Sequence, residues 1–179
     1  MLLGYWGYIG GQDMKNTDSI RLLNKGVADE LQAVHQYMYF HFHLDDQGFK
    51  PLAQLFKSIA VQEMVHVERL AERILFLKGD VEMDLVGVVE KTREPEVILE
   101  KARMMEQEAV KTYNEAVLAC AANSDSASKN IFERLVNDEE GHLSLYEKQR
   151  DNIKRFGLSY LALHSFGFAA SESTHSAGE

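Results

Sequence analysis

The chain has 179 residues, a formal net charge of −9, two prolines and one cysteine. That length suits a single domain with a core large enough to be stable without staples, and the lone Cys120 excludes both an internal disulfide framework and a CxxC metal knuckle. The acidic balance argues against nucleic acid, which needs clustered Lys and Arg, and no apolar run reaches the roughly 20 residues that span a bilayer.

The opening segment MLLGYWGYIGG is apolar but lacks the basic start and small-residue cleavage site of a signal peptide. Residues 1–13 read as an N-terminal extension outside the fold, since Met14 begins the more ordinary MKNTDSI. A first helix is expected from about Asp18 to Leu44, with Thr17 or Asp18 as its cap and Leu23, Val27, Val34, Tyr37 and Met38 recurring at intervals of three and four. The segment DDQGFKP breaks it. Pro51 then stands where a proline opens a second helix, which runs to about Lys78 and is stopped by Gly79. Each of these helices is about 40 Å long at 1.5 Å per residue.

The stretch GDVEMDLVGVVEKTRE has poor helical periodicity and is too long for a tight turn, so it reads as a connection running the length of a bundle. Pro95 opens a third helix that continues to about Ala122. After the polar turn NSDSAS, Ser124 or Ser126 caps a fourth helix that Gly157 ends, and a short fifth helix is expected over Leu158–Ser165. Residues 167–179 read as a disordered tail. Two helices, a long crossover and two more helices give an all-α, ferritin-like four-helix bundle, with the domain covering residues 14–166.

The chemistry lies in two tetrapeptides, Glu63-Met-Val-His66 in the second helix and Glu139-Glu-Gly-His142 in the fourth. A spacing of three places both side chains on one helical face, and carboxylate oxygen with imidazole nitrogen suits iron, manganese or zinc. The spacing alone is weak, because about one chance match is expected in a chain of this composition. A third match, Glu172 to His175, falls in the tail and reads as coincidence.

The register is more specific. An offset of 76 carries Glu63 and His66 onto Glu139 and His142, and the same offset carries Glu30 onto Glu106. Each half thus reads Glu, then 33 residues later Glu-x-x-His. Two helix pairs related by a pseudo-two-fold would bring the six residues to one depth, as a dinuclear site requires. Glu106 is preferred over Glu108 because it shares its stripe with Ala102, Ala109 and Tyr113 rather than with Lys111 and Glu115. A single Glu is usually a solvated surface charge, but four on apolar stripes would be costly to bury unpaired. Tyr37, two turns after Glu30 on the same face, serves as a core residue, as a hydrogen-bond partner of a ligand carboxylate, or as a source of an electron.

The segments LLNKGVADELQAVHQY, VQEMVHVERLAERILFLKG and FERLVNDEEGHLSLYE closely resemble helices of bacterioferritins, over about Met14 to Leu161. The resemblance implies a di-iron site with Glu30 and His66 on one iron, Glu106 and His142 on the other, and Glu63 and Glu139 bridging. It implies iron storage by a cytoplasmic ferroxidase that oxidises Fe(II) with O₂ or H₂O₂, in a cage of twenty-four subunits built from two-fold dimers. A ferredoxin-type redox partner is compatible with it.

Met64 points about 100° away from the metal face and stands at the family's haem-ligand position. A b-type or related haem is implied there, with Leu31, Val34, His35 and Met38 as the pocket wall. In two places the chain departs from some relatives. Ser58 and Gln62 replace a His and an Asp of an inner-surface iron site, and Leu145 replaces a tryptophan. The alternatives are a rubrerythrin-like di-iron peroxidase, disfavoured by the missing paired CxxC motifs, and a non-catalytic haem-binding cage. With unperturbed imidazoles, activity is expected to fall below about pH 6.

Overall fold

A computed structural model of the chain describes the backbone of residues 6–166 and the side chains of residues 17–166. It is all-α: α1 (Trp6–Asp46), α2 (Lys50–Phe76), α3 (Pro95–Ala122) and α4 (Ser126–Phe156) form a bundle, and residues 159–166 make a short fifth helix, α5. The tail, including Glu172 and His175, lies outside the described residues, as do residues 1–5.

Helix α1 begins at Trp6 rather than at Thr17 or Asp18. No proline interrupts the residues before Thr17, so nothing breaks the ladder of backbone bonds. Asp18 instead pairs with Arg21 at 3.7 Å, one turn along the helix. The residues from Trp6 to Asp13 are helical and continuous with α1.

Three helices end in the same way, with two backbone bonds closing a left-handed residue. After α1 this residue is Gly48, with φ +82°, whose N–H donates to Asp45 while that of Phe49 donates to Leu44. After α2 it is Lys78, with φ +66°, and not the expected Gly79. Gly79 donates to the Ile74 carbonyl at 3.0 Å, and its own constraint is space, because a Cβ there would lie 2.8 Å from Ile20 Cγ2. After α3 it is Ser124, with φ +60°. The cap of α4 is consequently Asp125 rather than Ser124 or Ser126: its carboxylate accepts the Ser128 N–H at 3.1 Å, and Arg73 of α2 donates to it at 2.7 Å. Pro51 and Pro95 both sit in first turns, where a missing N–H costs nothing.

Helices α1 and α2 form one antiparallel hairpin and α3 and α4 the other. The crossover joining them runs along α1, held by side-chain amides acting as surrogate backbone. Asn24 donates to the Asp80 carbonyl and accepts from the Glu82 N–H, both at 3.0 Å. Gln36 does the same to Glu90 at 2.9 and 2.8 Å. Gln32 accepts from Gly87 at 3.1 Å, and Gln47 donates to Arg93 at 3.0 Å. The extended segment thereby satisfies backbone groups that no strand pairs, and it delivers α3 antiparallel to α1.

Two apolar clusters fill the bundle. One contains Phe40, Phe56, Ile59, Leu99 and Tyr146; the other contains Leu23, Val27, Leu70, Ile74 and Phe132. Between them lies a polar layer. Because Gln36 is buried and satisfies both polar groups of Glu90, Gln36→Ala should cost about 1–3 kcal/mol. Chemical denaturation of the variant measures this, and an unchanged midpoint would show that the crossover needs no such anchor.

Candidate metal centre

The structure brings together all six residues singled out by the register. Glu30, Glu63, His66, Glu106, Glu139 and His142 are each no more than 3% exposed. One oxygen or nitrogen from each of Glu30, Glu63, His66 and Glu139 falls within 4.8 Å of the others, and the same holds for Glu63, Glu106, Glu139 and His142. The two groups share Glu63 and Glu139. This is the donor arrangement of two metal positions with two bridging carboxylates. Glu108 is exposed, as its phase requires.

Both imidazoles present Nδ1 to the centre. His66 Nδ1 lies 2.9 Å from Glu63, 3.2 Å from Glu139 and 3.6 Å from Glu30. His142 Nδ1 lies 2.9 Å from Glu139, 3.1 Å from Glu63 and 3.9 Å from Glu106. The rings face one another with centroids 6.1 Å apart. Both oxygens of Glu63, Glu139 Oε1 and His66 Nδ1 are buried without a well-aligned hydrogen bond. Buried polar atoms rarely go unsatisfied, and a set of them converging on one space fits a divalent cation.

A second pair of residues obeys the same offset. Tyr37 of α1 donates to Glu106 of α3 at 2.5 Å, and Tyr113 of α3 donates to Glu30 of α1 at 2.6 Å. Each carboxylate at the edge of the centre is thus steadied by a tyrosine from the facing helix. For Tyr37 this decides between core residue and carboxylate partner, and it is both. The stripe of Glu106 marks Tyr113 as inward-facing, and the offset that relates the glutamates also relates it to Tyr37. A cavity of about 300 Å³ runs from this layer out between α1 and α3, reaching solvent beside Lys25, Asp29 and Glu108.

The protons in this layer follow from burial and charge. Burial and the neighbouring Glu139 and Glu63 raise Glu30, and burial with Glu63 and Glu139 raises Glu106. Burial opposes the charged form of Glu139, but hydrogen bonds from His142 and His66 hold it down at about 2. Burial likewise opposes the imidazolium, yet bonds to Glu139, Glu30 and Glu63 push His66 up to about 12, and bonds to Glu139 and Glu63 push His142 up to about 9. Without metal, therefore, imidazolium protons balance the central carboxylates. A metal ion must displace the Nδ1 protons to bind.

This moves the expected acid limit upward from pH 6. Affinity for Zn(II) should keep rising from pH 6 to about 9, with protons released to solvent on binding; titration calorimetry in buffers of different ionisation enthalpy measures both. A plateau from pH 7 would contradict the arrangement. Stability of the metal-free chain should move the opposite way. Groups whose folded values lie above their ordinary ones stabilise fully below the ordinary value, and for His142 that contribution is lost between about 6.5 and about 9. Thermal unfolding at these pH values should show a falling midpoint that bound Zn(II) abolishes.

The remaining residue set lies outside the centre. Met64 is 54% exposed, flanked on its face by exposed Val61 and Val65. His41 meets Ala53, and Gly26 faces Leu70, and this antiparallel register sets Met64 at the depth of Leu31. Leu31, Val34 and Met38 are half-buried and His35 is exposed. None of these side chains approaches the carboxylate layer. Among the described residues, no helix is long and apolar enough to cross a membrane.

Comparison with known proteins agrees with this geometry. The ferritin-like domain family matches residues 20–156. The bacterioferritin of Desulfovibrio desulfuricans is 36% identical over 153 residues, 86% of each chain. An X-ray structure of that protein, solved to show its diiron site in different catalytic states, superposes with a TM-score of 0.83 over 84% of this chain and 88% of that one. The Rhodobacter capsulatus bacterioferritin, with a metal-free dinuclear site and a haem iron in a crystallographic special position, superposes with a TM-score of 0.80 at 34% identity, over 83% of this chain and 93% of that one. With two groups of metal-compatible donors drawn from four helices and these likenesses spanning most of both chains, this protein belongs to the bacterioferritin family of ferritin-like proteins.

Proposed function

We propose that the chain is the subunit of an iron-storage cage that oxidises Fe(II) at the buried centre, using O₂ or H₂O₂. The observation that carries this reading is the buried layer of four carboxylates and two imidazoles in which both oxygens of Glu63, Glu139 Oε1 and His66 Nδ1 converge without a well-aligned hydrogen bond. Glu30 and His66 would hold one Fe(II) and Glu106 and His142 the other, with Glu63 and Glu139 between them. Two Fe(II) held side by side supply two electrons at once to one oxidant molecule, so neither ion need react alone.

The chain's own residues do the rest. Glu63 and Glu139 neutralise the paired charges, and the tyrosine bonds keep Glu30 and Glu106 aimed inward. The imidazole Nδ1 protons leave as the ions bind, so a proton path to solvent is needed, and the cavity between α1 and α3 offers one. The same cavity gives Fe(II) a route past Asp29 and Glu108, which pair with Lys25 and Lys111 at 2.9 and 3.2 Å. Oxidised iron then passes to a mineral held inside a cage of twenty-four copies, in the cytoplasm, with a ferredoxin-type protein as the reductant for release.

Met64 fits a haem ligand. Its thioether is exposed beside Val61 and Val65 instead of packing in its own core, and half-buried Leu31, Val34 and Met38 continue the apolar surface on α1, with exposed His35 among them. A b-type or related haem shared between two copies, one Met64 from each, would cover that surface and carry electrons between reductant and mineral. The haem iron of the R. capsulatus relative, lying in a special position, supports a shared site.

Glu63→Ala and Glu139→Ala should each lose the fast phase of Fe(II) oxidation, by at least about ten-fold, while assembling normally. Stopped-flow absorbance at two Fe(II) per subunit reads this directly, and a wild-type rate in either variant would remove the centre from the reaction. Met64→Leu should leave the purified protein without a haem Soret band. A band of unchanged height would rule out Met64 as the ligand.

A further inference from the structure

The two halves of the centre obey the 76-residue offset almost everywhere, but behind the imidazoles they do not. His66 Nε2 lies 3.2 Å from Asp138 Oδ2, and His142 Nε2 lies 3.3 Å from Gln62 Oε1. Positions 62 and 138 are themselves related by the offset, each directly preceding the Glu of a Glu-x-x-His. One imidazole is therefore backed by a carboxylate and the other by an amide.

The orientation of that amide is fixed. Gln62 Nε2 donates to the Ser58 carbonyl one turn back, at 3.3 Å, and only the nitrogen can do so. Its oxygen must face His142, which in turn must carry a proton on Nε2. Asp138 can only accept, so His66 also carries its proton on Nε2. Both rings thus keep Nδ1 for a metal, as a ligating histidine requires. The two acceptors differ in strength. A carboxylate pulls harder on the Nε2–H than a neutral amide and makes the opposite nitrogen the better donor. Arg69, 3.3 Å from Asp138 Oδ2, further fixes that carboxylate in place.

We propose that the two metal positions are unequal, the one at His66 binding divalent cations more tightly than the one at His142, because Asp138 backs the first imidazole and Gln62 the second. The proposal rests on the reading that these six residues hold two metals. Asp138 and Gln62 act through the histidines and are positioning residues. Functionally, one ion is retained and its neighbour exchanges, so the His142 position is the one that refills with Fe(II) and loses product.

Co(II) tests this without turnover, since its visible absorbance reports each ion as it is ligated. The full-length metal-free chain should bind Co(II) in two steps whose affinities differ by about ten-fold or more, the usual scale for a backing group. Gln62→Asp should tighten the weaker step by about ten-fold; by the pseudo-symmetry, an Asp at 62 reaches His142 as Asp138 reaches His66. Asp138→Asn should weaken the tighter step by a similar factor. The double exchange Gln62→Asp with Asp138→Asn keeps the charge unchanged and should restore two unequal steps. A purely structural role for these residues would not produce that recovery. Two equal steps in the wild type, or steps that neither exchange moves, would overturn the inequality and leave the centre itself standing. Fewer than two Co(II) per chain would overturn the centre and the inequality together.

Discussion

Six ionisable side chains at one depth of an apolar bundle form the constraint on which the rest of the structure depends. Four buried carboxylates in one layer would repel one another strongly, and the two imidazoles offset only part of that. The layer is tolerable because every element around it is committed to holding it. Apolar clusters close it above and below, tyrosines bind its outer carboxylates, and acceptors at the α2–α4 seam bind its imidazoles. A bundle with only a storage role for its core would replace these groups with leucine and gain stability. Retaining them is the mark of a site whose charge is completed by cations.

The antiparallel geometry that makes the layer also makes it nearly symmetric. Tyr37 reaches Glu106 and Tyr113 reaches Glu30, each across the α1–α3 contact, so neither hairpin can hold its own glutamate in place without the other. This interdependence ties the centre to the crossover, which must deliver α3 antiparallel to α1 and in register. Three side-chain amides on α1 and Gln47 just beyond it set that register through backbone bonds, and the position of Glu106 depends indirectly on Gln36 and Asn24. Symmetry fails behind the imidazoles, where Asp138 backs His66 and Gln62 backs His142, and the proposed inequality of the two positions rests there.

Outside the centre, α2 carries a second feature. Met64 leaves the metal face by a third of a turn and emerges exposed beside Val61 and Val65. The buried face of α2 is apolar except at Glu63 and His66, and the middle of its solvent face is polar except around Val61, Met64 and Val65. Both exceptions are intelligible if each is completed by something other than this chain: cations within, and a haem with a second copy without.

The sequence by itself determined the helices, the long crossover and the metal residues, because each rests on a short-range or periodic signal: prolines in first turns, stripes at three and four, and a repeat of 76 that needs no contact to be seen. Even Tyr113 and the inequality of positions 62 and 138 were within reach of that repeat. Tertiary structure alone decided the rest. The left-handed turn at Lys78 beside Gly79 and the cap at Asp125 depend on what a residue meets in space: Ile20 against Gly79, Arg73 against Asp125. The amide ladder under the crossover is equally silent in sequence, since Asn and Gln on a helix look like solvated surface until an extended segment lies over them. The proton inventory of the centre belongs to this second class as well, because it arises from how closely four glutamates and two histidines are pressed together, a distance that no spacing along the chain records.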